Sequence, residues 1–148
     1  MVQLVYALSG SRMAAEDIAQ EAFLRAYRDW ERVGSYEHQA AWVRRVATNL
    51  ATSGLRRRLL EARALARLAG RREPALEPLP AEEADFGRAL RALPRRQAQA
   101  VALFYVEDLS VQQIAVVLDC AEGTVKAHLA KARHSLAKRL QLEHGEER

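Results

Sequence analysis

The sequence has little of several things that other kinds of protein depend on. It holds one cysteine, Cys120, which excludes a disulfide framework and a thiolate metal cluster. Aromatic residues make up only 6% of the chain, while Ala, Leu and Arg dominate, a mixture that favours helices over a sheet-rich fold. Of the four prolines, three crowd together at Pro74, Pro78 and Pro80, and the fourth is Pro94. No apolar run approaches the roughly 18 residues of a membrane span. The N-terminus has no basic stretch leading into an apolar segment, so the expected compartment is the cytoplasm. No acid/base pair, nucleophile with a matched base or phosphate-binding loop stands out. His38, His128, His134 and His144 are scattered without metal spacing. The expectation is a protein that is not an enzyme and needs no cofactor or metal.

What is present points to helices and to polyanions. With 148 residues, 49% of them apolar, the chain has room for one ordinary domain or two small ones. Its net charge of +4 is small but unevenly placed. From Val43 to Arg72 there are nine arginines against one acid, Glu61. From Thr124 to Leu140 there are five Lys and Arg and no acid, and all three lysines of the chain fall there. Two separate basic windows suit a bipartite nucleic-acid contact; two solvated helix faces are the plainer alternative.

Hydrophobic periodicity divides the chain. In the first block, Val2, Val5, Tyr6 and Leu8 start a short helix that Gly10 and Ser11 break. Ile18, Ala19, Ala22, Phe23 and Ala26 then give a helix with one buried face, which Trp30 is expected to close against a neighbour. Trp42, Val43, Val46, Ala47 and Leu50 build a further helix, whose opposite side carries Arg45, Asn49, Thr52 and Arg56. Gly54, inside this basic run, is expected to cost roughly 1 kcal/mol relative to Ala. The prolines interrupt the middle. These features predict an all-α protein of two small helical domains, residues 1–60 and 84–142, joined by a flexible linker over 61–83.

The second block carries the strongest motif. Ser110-Val111-Gln112-Gln113 is a capping-box pattern that opens a helix with Ile114, Ala115 and Leu118 on its buried face. Asp119-Cys120-Ala121-Glu122 breaks it. A longer helix follows, with the apolar stripe Val125, Leu129, Ala132, Leu136 and Leu140. Short helix, tight turn and longer basic helix is the helix-turn-helix plan. Glu122, Thr124, Lys126, Lys131 and Arg133 lie off the stripe, where a groove-reading surface is needed. His128 reads as a phosphate or base contact rather than a metal ligand. Cys120 fits a plug between the two helices. Gly123 is explained equally well by close backbone approach to DNA and by an internal packing need.

In the first block, Asp17, Gln20 and Glu21 share a face at i, i+3 and i+4. Being acidic, they suit a protein surface rather than DNA, and a merely solubilising face is the simpler reading of those three alone. The order of elements adds to this: an acidic helix, an aromatic-bearing loop, a basic helix, a linker and a helix-turn-helix.

In that order the chain resembles a bacterial sigma-70-type factor of the short extracytoplasmic-function (ECF) group. Glu16-Asp17-Ile18-Ala19-Gln20-Glu21-Ala22-Phe23 resembles the region 2.2 core. Ala41 to Ala51, followed by Arg56-Arg57-Arg58, resembles regions 2.3–2.4. Leu93 to Gln97 and Glu107 to Ser110 resemble region 4.1 running into 4.2, and Asp119 to Arg133 resembles its recognition helix. The second domain is then a helix-turn-helix of the winged-helix-like, sigma region 4 type.

The resemblance implies roles residue by residue. Asp17, Gln20 and Glu21 would sit on the clamp helices of the largest RNA polymerase subunit, and the flap would be a further contact. Tyr36, Arg45, Asn49, Arg56 and Arg57 would hold the −10 element. Glu122, Thr124, Lys126, His128, Lys131 and Arg133 would read or position the −35 element. An anti-sigma factor often holds the two domains of such a protein. The competing reading is a stand-alone helix-turn-helix regulator that binds duplex DNA without polymerase; a third is an adaptor that only sequesters another protein.

Overall fold

A computed structural model of the chain describes residues 1–70 and 80–146, without the side chains of 54–56, 58–60, 63 and 142–146. Among the described residues, all regular structure is helical and no strand is present.

Local signals set the helix ends. α1, Val2–Ser9, stops at Gly10, which takes the left-handed conformation at φ 75 and returns its N–H to the Tyr6 carbonyl at 2.8 Å. Ser11 then caps α2, Arg12–Arg28, its hydroxyl accepting from the Ala14 N–H at 3.3 Å. A single turn, α3 (Trp30–Val33), leads to α4, Gln39–Thr52. Ser53 is extended, so α4 ends there and Gly54 opens α5, Gly54–Leu68. The interior glycine penalty expected from the sequence therefore does not arise.

In the second half, α6 spans Ala81–Arg91, with Glu82 and Glu83 in its first turn beside the positive end of the helix dipole. Pro94 sits at the N-cap of α7, Arg95–Tyr105, where a missing N–H costs nothing. The helix-turn-helix is α8, Val111–Leu118, followed by α9, Glu122–Glu146.

Leu4, Val5, Leu8, Ile18, Val43, Ala47 and Leu50 fill the space between α1, α2 and α4. Leu90, Val101, Leu103, Ile114, Leu118, Val125, Leu129 and Leu136 do the same in the second half. Each large aliphatic side chain buried this way contributes about 1.5–3 kcal/mol. The two sets form one continuous cluster, because α1 packs on α6 and α7 as well as on α2 and α4, and α4 reaches α8.

Two aromatic positions differ from the sequence reading. Phe23 is 55% exposed, not buried. The inner side of α2 is a row of small residues, Ala15, Ala19, Ala22 and Ala26 around Ile18, which lets α1 and α4 approach closely and leaves no space for a ring. Trp30 is 54% exposed and does not seal α2 against a neighbour. Its ring lies over Gly34 instead, where an added Cβ would come within 3.1 Å of it.

Candidate nucleic-acid interface

The helix-turn-helix is fixed at its entrance by a complete capping box. The Ser110 hydroxyl accepts from the Gln113 N–H at 3.1 Å, and the Gln113 side-chain oxygen accepts from the Ser110 N–H at 2.9 Å. Asp119 turns the chain in the left-handed region, at φ 53. Cys120 is half-buried and packs against the core, as a plug between α8 and α9 should.

α9 presents a bare polar side. Val125, Leu129, Ala132 and Leu136 are buried, while Glu122, Thr124, Lys126 and Lys131 are exposed and His128 is half-buried. Gly123 is exposed, and nothing lies within 4 Å of where its Cβ would stand, so internal packing does not require a glycine there. Arg133 is different from the others. Its Nε donates to the Tyr105 hydroxyl at 2.8 Å, and its guanidinium lies over the Phe104 ring at 5.4 Å. It ties α9 to α7.

In the first block, Asp17 and Gln20 are exposed, and Glu21 accepts from Arg25 Nε at 3.1 Å. Spacings of three and four place Gln20, Phe23, Leu24 and Tyr27 on one side of α2. Tyr27 is 80% exposed. With Trp30 just beyond, an apolar stripe runs beside the acidic residues. The apolar periodicity puts Phe23 on the buried face and Trp30 against a neighbouring helix, and gives Tyr27 no role. The signal was the alanine content of the opposite face, which leaves the larger side chains facing out.

α4 carries the other predicted residues. Tyr36, in the turn before it, and Arg57, in α5, are exposed; the side chain of Arg56 lies outside the described residues. Arg45 and Asn49 face inward, toward the second half of the chain. Arg45 Nε donates to the Val117 carbonyl at 2.8 Å and Nη2 to the Val116 carbonyl at 2.9 Å. The Asn49 side-chain oxygen accepts from Arg95 at 3.2 Å and from Gln99 at 3.3 Å. Thr52, the next residue on that side, accepts from Gln99 Nε2 at 2.8 Å. The −35 candidates are exposed or half-buried on α9, flanking its buried apolar stripe, with Arg133 set apart by its tie to Tyr105. The structure divides the −10 candidates between the surface and the boundary of the two halves. No group of three or more His, Cys, Asp or Glu able to hold a metal ion occurs among the described residues, and none of their helices is long and apolar enough to cross a membrane.

A capped helix-turn-helix with a polar, partly basic reading helix places the molecule among all-α DNA-binding proteins. Comparison with known families narrows this. Residues 1–59 match the Sigma-70 region 2 family and residues 83–136 match Sigma-70, region 4. The chain is 30% identical to the ECF RNA polymerase sigma factor SigW of Bacillus subtilis, over 93% of this chain and 81% of that one. It is 34% identical to the ECF RNA polymerase sigma factor SigE of Mycolicibacterium smegmatis, over 90% of this chain and 54% of that longer one. Among solved structures, the sigma factor RpoE in complex with the anti-sigma factor NepR, from Bartonella quintana, matches with a TM-score of 0.64 at 26% identity, covering 95% of this chain and 89% of that one. The chain belongs to the ECF group of the sigma-70 family of RNA polymerase sigma factors.

Proposed function

We propose that the protein directs promoter-specific transcription initiation by holding core RNA polymerase with α2 and reading promoter DNA at two places, one with α9 and one with α4. Residues 1–60 and 84–142 serve as the two units, with 61–83 between them. Asp17, Gln20 and Glu21 meet the clamp helices of the largest polymerase subunit, and Phe23, Leu24 and Tyr27 add apolar area to that contact. Glu122, Thr124, Lys126, His128 and Lys131 read or position the −35 duplex. Tyr36, Arg45, Asn49, Arg56 and Arg57 take the −10 element, with Tyr36 offering a stacking surface to an unpaired base. Lys and Arg at both sites supply the salt-dependent affinity that any DNA contact carries. The chain performs no bond chemistry of its own.

The observation that carries this reading is the exposed acidic and aromatic side of α2 in the same chain as the helix-turn-helix. An apolar stripe beside acidic residues is surface that docking on a partner buries. Core polymerase and the flap are accordingly partners, and an anti-sigma factor is a further one, in line with the complex in which the Bartonella relative was solved. In vitro transcription with purified core polymerase across a promoter library tests the assignment. The expected result is initiation from a defined subset of promoters. Footprints that appear without core polymerase, on palindromic sites, would favour the stand-alone regulator.

A further inference from the structure

The side of α9 that points straight away from the core carries neither of its exposed lysines, Lys126 and Lys131. The buried stripe of the helix is Val125, Leu129, Ala132 and Leu136. At 3.6 residues per turn, the positions opposite that stripe are Gly123, Ala127, Ala130 and His134. All four are exposed, and Ala127 and Ala130 take no part in the core. Lys126 and Lys131 lie five positions apart, about 140° around the helix, so that one stands on each flank of this line. Both are exposed, and neither has an ion-pair partner among the described residues. Arg133 is on the Lys126 flank, but Tyr105 holds it. The outermost ridge of α9 is therefore uncharged from Gly123 to Ala130, and its free cations stand to either side.

We propose that Ala127 and Ala130 select bases in the −35 duplex through thymine methyl groups, while Lys126 and Lys131 hold phosphates of the two strands on either side. This rests on the reading of α9 given under Proposed function and divides the roles within it. A helix lying in a major groove turns its outermost ridge to the base edges and its flanks to the two walls, which are the sugar–phosphate backbones. The groove is about 12 Å wide, close to the diameter of a helix with its side chains. Lysines on the flanks therefore meet the walls before they meet the floor. A lysine is a point charge on a flexible stem and finds a phosphate on any sequence alike. An alanine methyl has one apolar partner on the groove floor, the C5 methyl of thymine. Ala127 and Ala130 are three positions apart, about 4.5 Å along the helix axis, against about 3.4 Å between base pairs. They meet neighbouring base pairs, so the −35 element has a thymine, on either strand, in each of two neighbouring pairs.

The test uses the full chain bound to core polymerase. Selection from promoters randomised over the −35 region gives the preferred base at each position. Fluorescence anisotropy on the selected duplex then measures affinity, with each thymine replaced in turn by deoxyuridine, which lacks only the methyl. Thymines in two neighbouring pairs should each lose on the order of fourfold on this replacement, the worth of one methyl leaving water. Ala127→Gly should erase the loss at one of them and Ala130→Gly at the other, as a double-mutant cycle requires of a direct contact. Lys126→Ala and Lys131→Ala should weaken every duplex alike, lower the salt slope by about 1 each, and leave both losses in place. If glycine loosens the helix and weakens all binding, Ala127→Gln and Ala130→Gln decide, each expected to change the preferred base at its own position only. A selected element without neighbouring thymines would overturn the proposal. So would deoxyuridine losses that persist in the glycine variants, base preferences untouched by the glutamines, or a lysine variant that alters the preferred bases. Failure of the broader reading has its own signature: the unaltered chain with core polymerase selects no −35 element at all, and this proposal falls with it.

Discussion

Arg133 on α9 and Tyr105 on α7 are joined by a 2.8 Å hydrogen bond from the guanidinium to the phenol oxygen, with the Phe104 ring beneath the same guanidinium. This pairing ties α9 to α7. It also separates two kinds of basic residue on one helix. Arg133→Ala should lower stability by about 1 kcal/mol through the lost hydrogen bond and cation–π contact. Lys126→Ala should leave the denaturation midpoint unchanged and weaken duplex binding, reducing the slope of log affinity against log salt by about 1. Urea denaturation beside a salt titration of binding checks both.

Thr48 lies fully buried on α4, and its hydroxyl has no hydrogen-bond partner among the described residues. Its neighbour one turn on, Thr52, donates instead to the Thr48 carbonyl at 2.9 Å. A buried hydroxyl without a partner carries a desolvation cost that a methyl does not. Thr48→Val keeps the branched shape and should raise stability by about 1 kcal/mol, read as a higher urea midpoint with unchanged slope.

Much of this architecture was legible in the sequence because local chemistry and global fold agree. The capping box at Ser110 and Gln113 and the stripe Val125, Leu129, Ala132 and Leu136 all stand where the pattern placed them. The misreadings have one physical origin. Periodicity reports which side of a helix is apolar, not what that side meets. Phe23 continues an apolar arc, yet the alanines beside it bring the helices too close to admit it. In the pattern along α4 alone, Arg45, Asn49 and Thr52 form the side opposite the apolar one, with nothing to mark it as a packing surface. Their partners on α7 and α8 lie about 45 to 70 positions away along the chain, with |i−j| from 43 to 72, beyond the reach of any pattern along one helix.

Tyr27 and Trp30 separate stability from docking. Tyr27 is mostly exposed, so its removal takes little from the folded chain, whereas Trp30 is only about half exposed. Tyr27→Ala should change the unfolding free energy by less than about 0.5 kcal/mol, and Trp30→Ala by more, because the Trp30 ring covers Gly34. If α2 docks on core polymerase, buried aromatic anchors of this kind carry more than 1 kcal/mol each, and Tyr27→Ala should weaken core association by about tenfold. Gln20→Ala with Glu21→Ala should act in the same direction. Equilibrium binding to purified core polymerase measures the effect. Unchanged affinity in all these variants would place the polymerase contact elsewhere.

Gly123 gives the sharpest division between fold and function. It occupies the first turn of α9, with open space where its Cβ would be and no positive φ to demand a glycine. Alanine is the better helix former, so Gly123→Ala should stabilise the chain by up to about 1 kcal/mol. If this end of α9 enters the groove, the same methyl would project between Glu122 and Thr124, where backbone comes close to the duplex. Binding to a −35 duplex should therefore weaken as stability rises. Thermal denaturation and duplex titration on the same preparation read both quantities. A variant that is more stable and binds as tightly as the parent would show that Gly123 is not held in place by DNA.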